Sequence, residues 1–241
     1  MCTVSFIARK HGYALAMNRD EKLSRAKGLP PKRHTIASRT ILAPTEPGGG
    51  MWIALNDVGV TFALINWYAI PLRPAARTVS RGEVVSAVCA ASSPAATQLI
   101  LNQLPLPRMN AFRLIGIFPA SQKIIQWQWN LKKLVRRTHR WEPQIWISSG
   151  FDEPVAQRIR SETFQQARQQ KSAGSLGWLR RLHSSQKPEP GPFAICMRRA
   201  DAATVSYTET VVDSSEAVMR HQNAAPNAGG KTFRLAINLN C

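Results

Sequence analysis

Met1-Cys2-Thr3-Val4-Ser5-Phe6-Ile7-Ala8-Arg9-Lys10-His11-Gly12-Tyr13-Ala14-Leu15-Ala16-Met17-Asn18-Arg19-Asp20-Glu21 opens the chain and carries two patterns at once. One is structural. Residues 3–9 and 13–17 are β-type runs around Lys10-His11-Gly12, a turn signal, so the segment reads as a hairpin. The other is chemical: a cysteine in second position, and a polar block, Asn18-Arg19-Asp20-Glu21, directly after the second run.

Residues 22–50 are rich in Lys, Arg, Pro and Gly without a sustained period. They read as a long loop ending in Gly48-Gly49-Gly50. Residues 51–55 and 60–67 flank Asn56-Asp57-Val58-Gly59, a second hairpin. Ser80 and Glu83 stand at capping-box spacing, so a helix capped by Ser80 is expected there, and Pro94 starts another to about Gln103. Residues 112–118 and 123–129 make a further hairpin, and 153–171 a Gln- and Arg-rich helix. Residues 172–191 carry Gly, Ser and Pro around a short basic helix and read as a flexible surface excursion. Strands over 193–198, 204–212 and 231–239 close the chain. With no repeat or linker, residues 1–241 read as one domain. Strands, then helices, then strands, helices and strands is not βαβ alternation. It suggests an α+β fold of two antiparallel sheets flanked by helices, a four-layer αββα sandwich.

Cys2 invites a specific chemistry. Methionine aminopeptidases remove Met1 when the next residue is small, which leaves a thiol beside a free α-amine. That amine has an intrinsic pKa of about 7.7–8, suited to a general base at neutral pH, and the thiol, at about 8.5, is readily activated. One residue then supplies nucleophile and base. The bland alternative is a small residue at a frayed end.

The chain resembles the NRDE family, the relatives of the transport and Golgi organisation 2 protein. Asn18-Arg19-Asp20-Glu21 spells that signature after a hairpin that begins at Cys2. In order follow Gly49-Gly50-Met51-Trp52-Ile53-Ala54-Leu55, Leu64-Ile65-Asn66-Trp67, Ser80-Arg81-Gly82-Glu83-Val84-Val85 and Val205-Ser206-Tyr207-Thr208-Glu209, each similar to a family segment. More distantly the family is similar to the choloylglycine hydrolase and penicillin V acylase group of N-terminal-nucleophile (Ntn) hydrolases. The resemblance implies Cys2 as nucleophile, Asn18 and Asp20 as the Asn-x-Asp pattern, and Asp20 as the carboxylate that orients the amine. It implies Asn66 as an amide that helps bind the oxyanion, and it sets Arg19 and Arg81 among the candidate binding residues. The other reading of Asn18 and Asp20 is a polar strand end, of Asn66 an amide satisfying backbone groups, and of Arg19 a local ion pair with Glu21. Three departures stand out: Met17 where those acylases carry Arg, Ile147-Ser148-Ser149-Gly150 where they carry a second Asn, and no clear C-terminal Arg near Gly191-Pro192-Phe193.

Charge sets the class of partner. Lys and Arg number 32 against 14 Asp and Glu, a formal +18, which favours anions in general. Residues 127–146 interleave Arg136, Arg137 and other cations with Trp127, Trp129, Trp141 and Trp146. Arg136 and Arg137 are candidate contacts for an anionic amphiphile, the alternative being a solvated basic face over buried Trp. No RNP, KH or zinc-finger pattern supports nucleic-acid binding. Four cysteines without a CxxC pair suggest reduced thiols and no metal or other cofactor. The N-terminus lacks the build of a signal peptide, and no apolar run reaches spanning length, so a cytoplasmic protein is expected. Two functions from different classes stay open, with charge-driven nucleic-acid binding a weaker third. One is hydrolysis of, or acyl transfer from, a non-peptide amide through a Cys2 thioester. The other, implied by the resemblance, is handling of haem, acyl-CoA or lipid without turnover.

Overall fold

The computed structural model describes residues 2–71 and 78–240. In chain order it has strands β1 (Cys2–Arg9), β2 (Gly12–Lys22), β3 (Leu29–Ile36), β4 (Arg39–Thr45), β5 (Ile53–Asn56) and β6 (Thr61–Asn66). Helices α1 (Gly82–Val88) and α2 (Pro94–Gln103) follow, then β7 (Phe112–Phe118), β8 (Lys123–Trp129), β9 (Leu134–His139) and β10 (Gln144–Ser148). Helices α3 (Glu153–Arg168) and α4 (Leu176–His183) precede β11 (Ala202–Val212), β12 (Glu216–Gln222) and β13 (Thr232–Asn238).

The strands form two sheets, β10-β1-β2-β11-β12-β13 and β3-β4-β5-β6-β7-β8-β9. Neighbours in each are antiparallel. Side-chain alternation sets the layers, because successive residues of a strand face opposite ways. Tyr13, Leu15 and Met17 of β2 meet Leu42, Ile53, Ile65 and Ile115 between the sheets. Ala14 and Ala16 face the other way, where their small side chains let Phe164 of α3 and Trp178 of α4 approach. Val84, Val85 and Val88 of α1 and Leu101 of α2 cover the far face of the second sheet. The result is the expected order of helices, sheet, sheet and helices.

Two glycines explain local chain paths. Gly12 has φ +121°, and a Cβ there would meet the Val212 carbonyl oxygen at 2.1 Å, so the first hairpin turns on a residue without a side chain. A Cβ on Gly82 would lie 2.9 Å from Gly50 Cα. The Gly49-Gly50 and Arg81-Gly82 segments are thus two halves of one backbone contact, tied by the Met51 amide donating to the Gly82 carbonyl at 3.1 Å. Ser80 does not cap α1. The cap position is Arg81, and the Ser80 hydroxyl accepts from the Gly82 amide at 3.2 Å.

The expected loop over 22–50 contains β3 and β4. β3 is an edge strand with Pro30 and Pro31 and exposed charge, the features that keep an edge from pairing further and that also mask it in sequence. β9, basic and half-exposed at the opposite edge, is hidden in the same way. Residues 193–198 form no strand beyond an isolated bridge at Arg198. Ala194, Ile195, Cys196 and Met197 are apolar because they are buried, and burial does not require pairing. Within 172–191, α4 buries Trp178, Leu179, Leu182 and His183 against the first sheet. Among the described residues no helix is long and apolar enough to cross a membrane.

Candidate active site

Cys2 begins β1, with Arg19 of β2 on one side and Ser148 of β10 on the other, and Ser206 of β11 lies beyond Arg19. Directly paired residues share a face. Ser148, Cys2, Arg19 and Ser206 therefore form one row facing the space between the sheets. Cys2 and Arg19 of this row border a cleft of about 230 Å³, lined also by Asp20, Asn66 and Arg81 among others. The cleft gathers the start of β1, the end of β6 and the approach to α1. Met1 lies outside the described residues.

Alternation splits the Asn-Arg-Asp-Glu block. Arg19 points to the cleft, while the Asn18 and Asp20 side chains reach towards the helices. Asp20 accepts a hydrogen bond from Thr204 Oγ1 at 2.7 Å and one from Arg160 Nη1 at 3.3 Å. Arg160 also donates to Thr3 Oγ1 at 2.7 Å and to the carbonyls of Pro192 and Phe193 at 3.1 and 3.3 Å. Both side chains of this ion pair are fully buried. Burial raises the Cys2 thiol pKa. The N-terminal charge, Arg19 and the Asp20 backbone N–H oppose that shift, and the Asp20 carboxylate adds to it. The resting thiol is therefore protonated at neutral pH.

Asn18 does not line the cleft. Its Nδ2 donates to the carbonyls of His183 and Ile195 at 2.9 and 3.0 Å, which leaves Oδ1 to accept from His183 Nδ1 at 3.0 Å. His183 Nε2 must then accept from Ser5 Oγ, 2.6 Å away. That pattern fixes a neutral imidazole, and burial pushes its pKa down to about 3. Burial likewise holds His221 at about 4, with Arg19 contributing. Unfolded histidine titrates near 6.5, so below that pH the unfolded chain binds more protons and folding stability falls. The loss by pH 5 should be about 2 kcal/mol for each of the two histidines. Urea unfolding at pH 7, 6 and 5 checks this: a midpoint that does not move would contradict the neutral, buried assignment.

Asn66 Nδ2 donates to Tyr68 Oη at 2.8 Å, and Arg81 Nη1 to the Ala111 carbonyl at 3.2 Å. Burial, reinforced by Arg25, lowers the Arg81 pKa, and Tyr68, Cys2 and Glu21 oppose it. Arg19 and Arg25 close a ring of ion pairs with Glu21 and Glu46 at 2.8 to 3.2 Å, and the Arg19 guanidinium lies 4.6 Å from the Trp52 ring centre. Arg136 and Arg137 are not brought to this place. They are exposed on β9, three strands from β6, or about 14 Å at ordinary strand spacing. Trp127, Trp129 and Trp146 of that stretch are buried, with the indole N–H groups of Trp127 and Trp129 bonded to Gln98 and the Met109 carbonyl. Cys2, Cys89 and Cys196 are free thiols, and Cys241 lies outside the described residues.

Sequence reasoning missed Arg160, although a signal was present. Ala156, Arg160 and Phe164 recur every four residues on the buried face of α3, so Arg160 is a charge inside an apolar stripe. Thr204 and His183 gave no comparable signal.

The profile of the family described as Transport and Golgi organisation 2 matches residues 1–175. The chain belongs to that family. A comparison with curated proteins finds no match. Solved structures extend the likeness over the whole chain. Penicillin V acylase from Agrobacterium tumefaciens has a TM-score of 0.58 at 9 % identity, over 98 % of this chain and 86 % of that one. A Cys-to-Ala mutant of conjugated bile acid hydrolase from Clostridium perfringens gives 0.57 at 9 %, over 100 % and 97 %. An Arg-to-Leu variant of that hydrolase gives 0.56 at 8 %, over 100 % and 97 %. At such identity the likeness establishes the fold, that of the Ntn hydrolases, and carries no activity with it.

Proposed function

We propose that this member of the Transport and Golgi organisation 2 family is an N-terminal-cysteine hydrolase or acyltransferase that acts on a non-peptide amide. The observation that carries the proposal is the placement of Cys2. It is the first residue of a central strand, borders a polar cleft, and is backed by a carboxylate locked in a fully buried ion pair.

Removal of Met1 frees the α-amine of Cys2. In its neutral form the amine takes the thiol proton, and Sγ adds to the amide carbonyl carbon. Asn66 and backbone N–H groups receive the developing oxyanion. The C–N bond then breaks, the proton passes from the ammonium to the leaving nitrogen, and an acyl thioester remains. Water, or a second amine or alcohol, attacks that thioester, the S–C bond breaks, and the thiol regains its proton. Asp20 orients the amine, and Arg160 with Thr204 holds Asp20 in place. Arg19 and Arg81 supply positive charge to the cleft.

A one-residue extension tests the amine's role. With Glu inserted between Met1 and Cys2, aminopeptidase leaves Met1 in place and the thiol keeps its strand position without a free amine. Acylation by an N-acyl β-lactone should then slow at least about a hundredfold, in the range that base catalysis contributes. An extended protein that acylates as fast as the native one would remove the amine from the mechanism.

A further inference from the structure

A row of cations without counter-charge runs along one edge of the second sheet. From Val84 to Trp141 the chain carries no Asp or Glu. β8, β9 and the turn between them fall inside that stretch. Lys123, Lys132, Lys133, Arg136, Arg137 and Arg140 are all exposed there, and none has an ion pair among the described residues. Exposed arginines elsewhere differ: Arg25, Arg158, Arg180 and Arg234 each pair with a carboxylate. Glu142, the next carboxylate in the sequence, comes after the row.

Backbone order spaces these charges. β9 is the end strand of its sheet and pairs only with β8. Arg136 lies opposite Trp127 and Arg137 opposite Gln126, so the two arginines project from opposite faces of the edge. Lys123 and Arg140 stand one residue beyond the Ile124–His139 pair, at one end of the row. At the other end Asn130 Oδ1 accepts from the Lys132 and Lys133 amides at 3.0 and 2.8 Å, which fixes the turn. At the usual rise of a strand, Lys133 to Arg140 spans about 23 Å, with cations in three groups about 12 Å apart. The positive field is felt locally. Burial lowers the His139 pKa, Arg137 lowers it further, and no carboxylate opposes them.

An extended polyanion matches a row of this kind, and the aromatic residues of the same stretch narrow the choice. Trp127, Trp129 and Trp146 are buried, and Trp141 packs against Phe6 and Tyr13, so these rings are not free to stack on unpaired bases. A duplex presents its phosphates without such stacking. At about 3.4 Å per base pair the row covers roughly seven base pairs, and its spacing of about 12 Å is that of the major groove. We infer that the β8–β9 edge binds the phosphate backbone of double-stranded nucleic acid. Contacts to phosphate carry no sequence information, so a base-reading motif is not needed. The surface is independent of the Cys2 chemistry.

Fluorescence anisotropy with DNA and RNA duplexes of arbitrary sequence tests the assignment, beside a DNA single strand and polyglutamate of similar charge. Wild type should bind a duplex with a log-log salt slope of about −5, the value for six neutralised phosphates, and lose about a thousandfold in affinity between about 50 and 200 mM salt. The single strand and polyglutamate should each bind at least about tenfold more weakly. Arg136→Gln combined with Arg137→Gln and Arg140→Gln should bring the slope to about −2 to −3 and weaken the duplex at least about a hundredfold at low salt. Lys22→Gln with Lys27→Gln and Lys32→Gln removes the same charge at or before β3, the opposite edge of the sheet, and should weaken it less than about threefold. Urea midpoints establish that both triple variants are folded. Cys2→Ala should bind like wild type, so a failure of the nucleophile assignment leaves this result intact. Equal losses in the two triple variants would place the binding in the field of the whole chain and overturn the inference. Tighter binding of the single strand or polyglutamate, or no binding of either duplex at the lower salt, would overturn it too.

Discussion

Arg160→Ala should destabilise the protein by about 3–5 kcal/mol, the cost of leaving a buried charge without its partner. The Asp20 carboxylate would lose its cation at 0 % exposure, and Thr3 Oγ1 and the carbonyls of Pro192 and Phe193 would lose a donor together. Those acceptors come from β1 and from the segment before β11, so the single guanidinium joins parts of the chain that no strand pairing joins. Arg160→Lys keeps the charge but not the fork of donors and should recover less than half of the loss. Removing both charges, as Asp20→Asn with Arg160→Met, should cost less than Arg160→Ala alone, because no isolated ion remains. Urea denaturation of the four proteins measures this. A double variant less stable than Arg160→Ala would show that the pair acts through something other than mutual compensation.

The second large effect concerns reactivity. Cys2→Ala should abolish acylation by an N-acyl β-lactone, while Cys89→Ala and Cys196→Ala should leave its rate within about twofold, since burial and poor thiolate character make cysteines inert. Burial pushes the Cys89 and Cys196 thiols up to about 11 each, and neither lines the cleft. Cys2 is not a frayed end. At 7 % exposure it belongs to the cluster between the sheets, so Cys2→Ala should also cost about 1 kcal/mol of stability, a modest core truncation. Acylation must therefore be measured under conditions where both proteins are folded. Labelling that persists in Cys2→Ala and disappears in Cys89→Ala would overturn the assignment.

The parts of the molecule legible in the sequence are those where the local pattern and the tertiary structure agree. The first hairpin shows a period of two and turns on Gly12, which the Val212 backbone allows to be nothing else. β5 and β6 lie on either side of the expected turn for the same kind of reason. Edge strands β3 and β9 were not legible, because the charge that protects an edge erases the apolar alternation that marks a strand. At the site, Cys2, Asp20, Asn66, Arg19 and Arg81 were legible through position and motif, and the structure places all five around one cleft. Asn18 belongs instead to the layer beneath, holding His183 and Ile195. Arg136 and Arg137 drew attention as cations near Trp residues. Arg136 pairs with Trp127 in register and shares its face of the sheet, but it stands exposed on the edge strand while that ring is buried, and Arg137 faces the other way. The long-range partners of Asp20, at Thr204 and Arg160, are set by folding and have no local pattern of their own.

The most direct measurement is intact mass before and after exposure to the N-acyl β-lactone, followed by peptide mapping. The account predicts a chain that lacks Met1 and gains one acyl group, carried on Cys2 as a thioester that hydroxylamine removes. A chain that retains Met1, or an acyl group that maps to any residue other than Cys2, would contradict it.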